Sequence, residues 1–176
     1  HLDVHSRSFI RHSPFIVLAT SDGVGSADAS PRGDPAGFVE VLDNQHLLIP
    51  DRPGNNRLDS MVNILACPYV GVIFFIPGIR EVLRVNGIAA IVRDEALLQP
   101  LAIAGRAPPT GILIEVREMF LHCAKSLMRS RLWEPAHWPP RGVIASAGQM
   151  LADHIKLNMT AADVDALLEE GQRNLY

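Results

Sequence analysis

Between residues 15 and 121 the chain repeats one device, a short apolar and often β-branched run closed by turn-forming residues. Residues 15–20 are closed by Ser21-Asp22-Gly23-Val24-Gly25, and residues 27–30 return as a partner that ends at Pro31. Residues 37–42 and His46–Pro50 flank Asp43-Asn44, and residues 69–76 stop at Pro77-Gly78. Residues 81–92 are interrupted by Asn86-Gly87, which predicts a tight hairpin or a bulge within one bent strand. Residues 111–121 complete the series, with Ile112, Ile114 and Val116 on one face. The expected fold class is mainly β with flanking α: six or seven strands, mostly antiparallel. Strands so spaced close most easily into a small barrel, which removes exposed sheet edges. Side chains fill such a barrel, so a ligand would bind outside it, in a groove that a second subunit can share.

Helices are fewer. Leu58, Met61, Val62 and Leu65 recur at the spacing of an amphipathic helix, with Asn55 or Asn56 as N-cap and Pro68 as its stop. Residues 94–103 and 124–132 are two further helical candidates. Pro135, Pro139 and Pro140 then mark an irregular connection. Thr160 and Asp163 resemble a capping box ahead of Val164, Leu167 and Leu168. A single domain is expected, with its core at about 13–133 and a helical appendage at about 141–176.

Composition narrows the function. The 176 residues carry a net charge of −3, which argues against a nucleic-acid partner. The longest apolar run, residues 70–76, is far shorter than the roughly 18 residues of a membrane span. Cys67 and Cys123 lie far apart without a CxxC, suggesting neither disulfide nor zinc site. The opening residues lack a signal-peptide pattern, and a reducing cytoplasm is the expected compartment. The apolar fraction of 48% is compatible with an extra buried face, and a homodimer is expected.

Of the 16 basic residues, only Lys125 and Lys156 are lysines. Arginine suits bidentate phosphate recognition, so its positions matter. Ser30-Pro31-Arg32-Gly33-Asp34 is a strand end that brings backbone amides to the surface. Arg52-Pro53-Gly54-Asn55-Asn56-Arg57 leads into a helix N-terminus, where unpaired amides favour an anion. Arg32 and Arg57 could together grip a phosphate. Equally, both stretches could be plain turns, their arginines solvated or paired with Asp34, Asp51 and Asp59. Neither matches a Walker A loop or GxGxxG.

Five stretches together resemble the FMN-binding split-barrel flavoproteins related to pyridoxamine 5'-phosphate oxidase. They are residues 13–22, 30–38, 48–57 and 83–87, and His122-Cys123-Ala124-Lys125-Ser126 with Arg131-Leu132-Trp133. The resemblance covers roughly residues 13–133. It implies a six-stranded antiparallel split barrel and a homodimer with FMN in clefts at the subunit interface. It places Ser30, Pro31, Arg32, Gly33 and Asp34 along the flavin ring and ribityl chain, with Ile49, Pro50 and Asp51 beside them. Asn56 and Arg57 match the position of a phosphate-binding basic residue, and Arg84 matches a region reaching the flavin from the second subunit. Arg32 is the candidate for stabilising an anionic reduced ring from its pyrimidine end.

Lys125, Ser126, Arg129, Arg131 and Trp133 form a candidate lid or substrate-binding segment; alternatively they are an exposed basic face with Trp133 packed at a dimer seam. The family's Arg-x-His substrate signature has Arg129-Ser130-Arg131 as its nearest counterpart, without the histidine, which argues against a vitamin B6 substrate. The seven histidines show no ligand spacing, so no metal is expected, and no GxSxG supports a hydrolase. The expected function is FMN-dependent redox chemistry on a small molecule, with a nicotinamide or deazaflavin as possible donor. The flavin would carry the chemistry, so no catalytic residue is singled out. The alternatives are a non-catalytic FMN- or haem-binding split-barrel protein and a flavin-free ligand-binding module.

Overall fold

The computed structural model describes residues 1–54, 57–140, 142–155 and 159–173. The chain divides into two compact units, His1–Trp133 and Glu134–Tyr176. The first opens with α1 (Val4–His12), whose first turn is capped by the Asp3 carboxylate accepting from the Ser6 N–H at 2.7 Å. Then come β1 (Phe15–Ser21), β2 (Ala27–Gly33), β3 (Glu40–Val41) and β4 (His46–Pro50). After α2 (Asp59–Ala66) follow β5 (Tyr69–Phe75), β6 (Val82–Val92), α3 (Glu95–Leu98), β7 (Gly111–His122) and α4 (Lys125–Ser130).

All paired strands are antiparallel, in a seven-stranded sheet of order β2-β1-β5-β6-β7-β4-β3. The seventh strand is the two-residue β3; only Glu40 and Val41 of the apolar run at 37–42 pair with β4. Asn86-Gly87 resolves as a bulge in the long strand β6. A Cβ at Gly87 would press into the Glu115 carbonyl and lie 2.7 Å from Ile114 Cγ2, so this close approach of β6 to β7 requires glycine.

Turn chemistry sets the first hairpin. The Asp22 carboxylate accepts from the backbone N–H groups of Val24, Gly25 and Ser26 at 2.9, 3.0 and 2.9 Å. Asp43 does the same for Gln45 and His46 between β3 and β4. Alternate residues Ile16, Leu18, Val72, Phe74, Val85, Ile112 and Ile114 fill one core with Ile10 of α1 and Ile64 of α2. A smaller cluster of Leu48, Leu98 and Leu101 covers the other face of β4. The helix expected at 94–103 is shorter: α3 is capped by Asp94, and a 3-10 turn, Gln99–Leu101, replaces its continuation at Pro100.

α2 turns the opposite face inward from the one its apolar spacing suggests. Leu58, Val62 and Leu65 are exposed, while Ser60 and Ile64 are buried. Polar anchors explain the orientation: Ser60 Oγ donates to Asp28 at 3.1 Å, and Asn63 Nδ2 donates to Thr20 Oγ1 at 3.0 Å. Leu58 occupies the N-cap position and makes no side-chain cap. Asn55 and Asn56, the expected caps, lie outside the described residues.

The second unit contains α5 (Ala147–Ile155) and α6 (Ala161–Arg173). Thr160 and Asp163 form the expected reciprocal cap, with Thr160 Oγ1 accepting from the Asp163 N–H and Asp163 accepting from the Thr160 N–H, both at 3.2 Å. The Gly148 N–H in the first turn of α5 donates to Asp165 of α6 at 2.7 Å. A side chain at Gly148 would run into the Ala161 carbonyl, so the helices meet where only glycine fits. Val164 is buried, but Leu167 of the expected stripe is exposed.

Candidate functional site

The sheet order leaves β2 at one end and β3-β4 at the other. No strand ladder among the described residues joins these ends. Side chains do: Arg52 Nε donates to Asp34 Oδ2 at 2.6 Å, and Arg32 Nη1 lies 3.8 Å from Asp51 Oδ1. The end of β2 thereby stands against the segment that follows β4, and a cleft of about 610 Å³ opens between them. That volume lies within the range of small-molecule sites.

Ser30, Pro31, Arg32 and Gly33 form one wall, and Pro50, Asp51, Arg52, Pro53 and Gly54 the other. Arg57 and Leu58 lie at the approach to α2, with Phe38 and Pro109 completing the lining. Four of these residues are prolines, whose fixed φ gives the walls little freedom. Asp51 is held twice from the start of β7: its N–H donates to the Thr110 carbonyl at 3.0 Å, and its carboxylate accepts from Thr110 Oγ1 at 3.2 Å. Thr110 and Pro109 escaped the sequence reading, because their nearness to Asp51 arises only from the pairing of β4 with β7.

The three arginines differ in environment. Arg52 is tied to Asp34, whose side chain is only 1% exposed. Arg32 is 19% exposed, and its ion pair with Asp51 is longer than a hydrogen bond. Among the described residues, Arg32 Nε is the buried side-chain nitrogen or oxygen that lacks a hydrogen-bond partner. Arg57 is 73% exposed and meets Asp59 at 2.7 Å.

Other expected site residues lie elsewhere. The Ile49 side chain belongs to the core. Asp34 adjoins the cleft through Arg52 rather than lining it, and Asn56 lies outside the described residues. Arg84 on β6 stacks over Phe120, 5.0 Å from the ring centroid. Lys125, Ser126, Arg129 and Arg131 are exposed in and after α4, and Trp133 Nε1 donates to the Ile79 carbonyl at 2.8 Å. None of these five lines the cleft of its own chain. α4 follows the β7 end at His122, whereas the cleft adjoins the β7 end at Gly111.

No group of three or more metal-ligating side chains occurs among the described residues, and no described helix is long and apolar enough to cross a membrane. The fold recurs in solved structures. HupZ of Group A Streptococcus aligns with a TM-score of 0.56 at 17% identity, covering 69% of this chain and 94% of that one. A Lactobacillus delbrueckii protein provisionally assigned as a pyridoxamine 5'-phosphate oxidase gives 0.53 at 19% identity, covering 68% and 93%. An FMN-binding protein from Syntrophomonas wolfei gives 0.51 at 8% identity, covering 66% and 83%. At these identities the likeness shows the fold, a split barrel. No curated protein matches the chain. The sequence profile of the pyridoxamine 5'-phosphate oxidase family matches residues 2–123, the stretch that holds the whole cleft, and the chain belongs to that family.

Proposed function

We propose that the cleft binds FMN and that the protein is a flavin-dependent oxidoreductase acting on a small molecule. The observation that carries this reading is Arg32 in the wall of a preformed cleft, where its side chain is 19% exposed, its ion pair with Asp51 is longer than a hydrogen bond and its Nε has no partner. A cation so weakly paired gains from charge-assisted bonds to ligand oxygens or ring nitrogens at its exposed edge. A flavin offers such acceptors along its pyrimidine edge. Its phosphate would be held by Arg57, which lines the cleft just before the first turn of α2, a turn with no side-chain cap.

In this assignment Arg57 holds the phosphate, Arg32 faces the ring, and residues 30–33 with residues 50–51 supply the walls. When bound, the flavin would supply hydride and electron transfer, and the protein would supply orientation and charge. The described lining that one chain supplies contains no His, Cys, Met or Tyr to ligate haem iron. The proposed assembly is a homodimer. The segment at 125–133 can serve as a lid only over a partner's cleft, given its place at the far end of β7.

The deciding measurement is the absorbance spectrum of the purified protein with mass identification of any released cofactor. Yellow protein releasing FMN is expected, bleached anaerobically by NADH, NADPH or a reduced deazaflavin. Protein that neither carries nor takes up FMN overturns the reading. Bound FMN that none of the donors reduces leaves a flavin-binding protein and removes the enzyme.

A further inference from the structure

Two ion pairs cross the mouth between β2 and the segment after β4, and they are unequal. The Asp34 side chain is almost wholly buried and meets Arg52 Nε at 2.6 Å, whereas the Arg32–Asp51 pair is 3.8 Å apart. A carboxylate this deeply buried is stable only when paired, and Arg52 supplies a charge of opposite sign at hydrogen-bond distance. The Asp34 backbone is fixed as well, its N–H donating to the Pro14 carbonyl at 3.1 Å just before β1. Arg52 is flanked by Asp51, which Thr110 holds, and by the rigid Pro53. Each member of the tight pair is therefore anchored in a different wall, and their bond sets the distance between the walls. Arg32, by contrast, keeps a donor without a partner.

We infer that Asp34 and Arg52 are a positioning pair, which holds the two cleft walls at the spacing FMN requires while Arg32 and Arg57 make the contacts. This rests on the FMN reading above and adds a division of labour among residues that sequence motifs group together. Asp34 acts through Arg52, not on the flavin. Correct spacing before binding spares the ligand the work of ordering its site, so loss of the pair appears as weakened affinity.

The test compares Asp34→Asn, Arg52→Ala, Arg52→Lys and Arg32→Ala with the unaltered protein. FMN affinity is read by fluorescence titration, the absorbance of bound flavin by spectroscopy, and wall mobility by hydrogen exchange without FMN. Asp34→Asn and Arg52→Ala are expected to weaken FMN binding by at least about tenfold, the factor equivalent to about 1.4 kcal/mol. Arg52→Lys, which keeps the charge, recovers part of that loss. The flavin that remains bound to Asp34→Asn keeps its normal band positions, while Arg32→Ala shifts them. Backbone amides of Ser30, Arg32, Gly33 and Asp34, and of Asp51, Arg52 and Gly54, exchange faster in Asp34→Asn.

Unchanged affinity in Asp34→Asn overturns the inference, as does a band shift like that of Arg32→Ala, which would put Asp34 on the ring. Should the unaltered protein bind no FMN, the functional reading fails on its own, and hydrogen exchange still judges the pair. Unaltered exchange at both walls then overturns it. If Asp34→Asn does not fold, Arg52→Ala carries the same comparison.

Discussion

Arg32, Arg52 and Arg57 each have a carboxylate neighbour, and the three acids are Asp51, Asp34 and Asp59. The sequence offered two accounts of these arginines, phosphate grip or ordinary pairing, and the structure holds the ingredients of both. What separates them is burial, which spacing does not encode. The Arg57–Asp59 pair is solvent-exposed, and such pairs contribute only about 0–1 kcal/mol. A phosphate dianion can displace Asp59 there at little cost. Charge-assisted hydrogen bonds contribute roughly 1.5–3 kcal/mol, so Arg57→Ala should weaken FMN binding about 10- to 100-fold. Flavin would then be lost during purification, seen as a fall in the ratio of flavin to protein absorbance. Full occupancy in this variant refutes the phosphate assignment. Asp34 shows what motif reading cannot reach: it stands in the motif with Arg32, yet its side chain is buried against Arg52 and does not itself line the cleft.

At the scale of elements, turn chemistry was legible and helix orientation was not. Asp22 and Asp43 lie in the predicted turns because a short carboxylate can collect successive backbone N–H groups. α2 shows the converse. Its apolar period marks a helix correctly, but Leu58, Val62 and Leu65 are exposed. Ser60 and Asn63 turn the other face inward, through partners on strands 32 and 43 residues away in sequence. Mutation separates the faces: Ile64→Ala should cost about 2–5 kcal/mol, while Leu65→Lys stays within about 0.5 kcal/mol. Denaturant titration of both variants checks this, and a large loss in Leu65→Lys alone would restore the sequence-based orientation. α1 was missed because its inward residues Ser6 and Ile10 give little apolar signal, whereas α5 falls within the helical appendage expected at about 141–176.

The turn at Asp22 also carries a pH prediction. Its carboxyl is held below the usual carboxylate range, first by the Ser26 backbone N–H and then by that of Val24. A folded pKa below the unfolded one gives stability that is present above the unfolded value of 3.8. That contribution is lost as pH falls through the lower, folded value. Asp22→Asn should therefore flatten the acid limb of the stability curve below about pH 4 and leave its shape near neutrality unchanged. Thermal melts across the acid range measure the difference; parallel curves for both proteins would exclude the turn from the acid response.

The largest question at the scale of the whole molecule is what covers the outer face of the sheet. In β1 and β5 the buried residues Ile16, Leu18, Val72 and Phe74 fill the core, yet their neighbours are also apolar. Val17 stands opposite Ile73, and Phe15 opposite Phe75 with ring centroids 6.1 Å apart. A strand with one solvated face ordinarily alternates apolar and polar residues, whereas a run apolar throughout belongs to a strand covered on both sides. The next strands continue the row, since Ile73 pairs with Arg84, and Arg84 with Phe120. Phe15 also pairs with Gly33, so the row reaches the cleft wall. Our proposal of a homodimer places this face at the seam, which would give Arg84 the inter-subunit position expected of it and make the cleft border the partner. Ile73→Asp should then raise the dimer dissociation constant by at least about tenfold, since a carboxylate loses its hydration in the seam, a cost that the opposite Arg84 only partly offsets. Light scattering would show monomer at concentrations where the unaltered protein is dimeric, with flavin occupancy falling alongside. A stable Ile73→Asp dimer places the seam elsewhere, and an unaltered protein that is monomeric at every concentration removes the dimer.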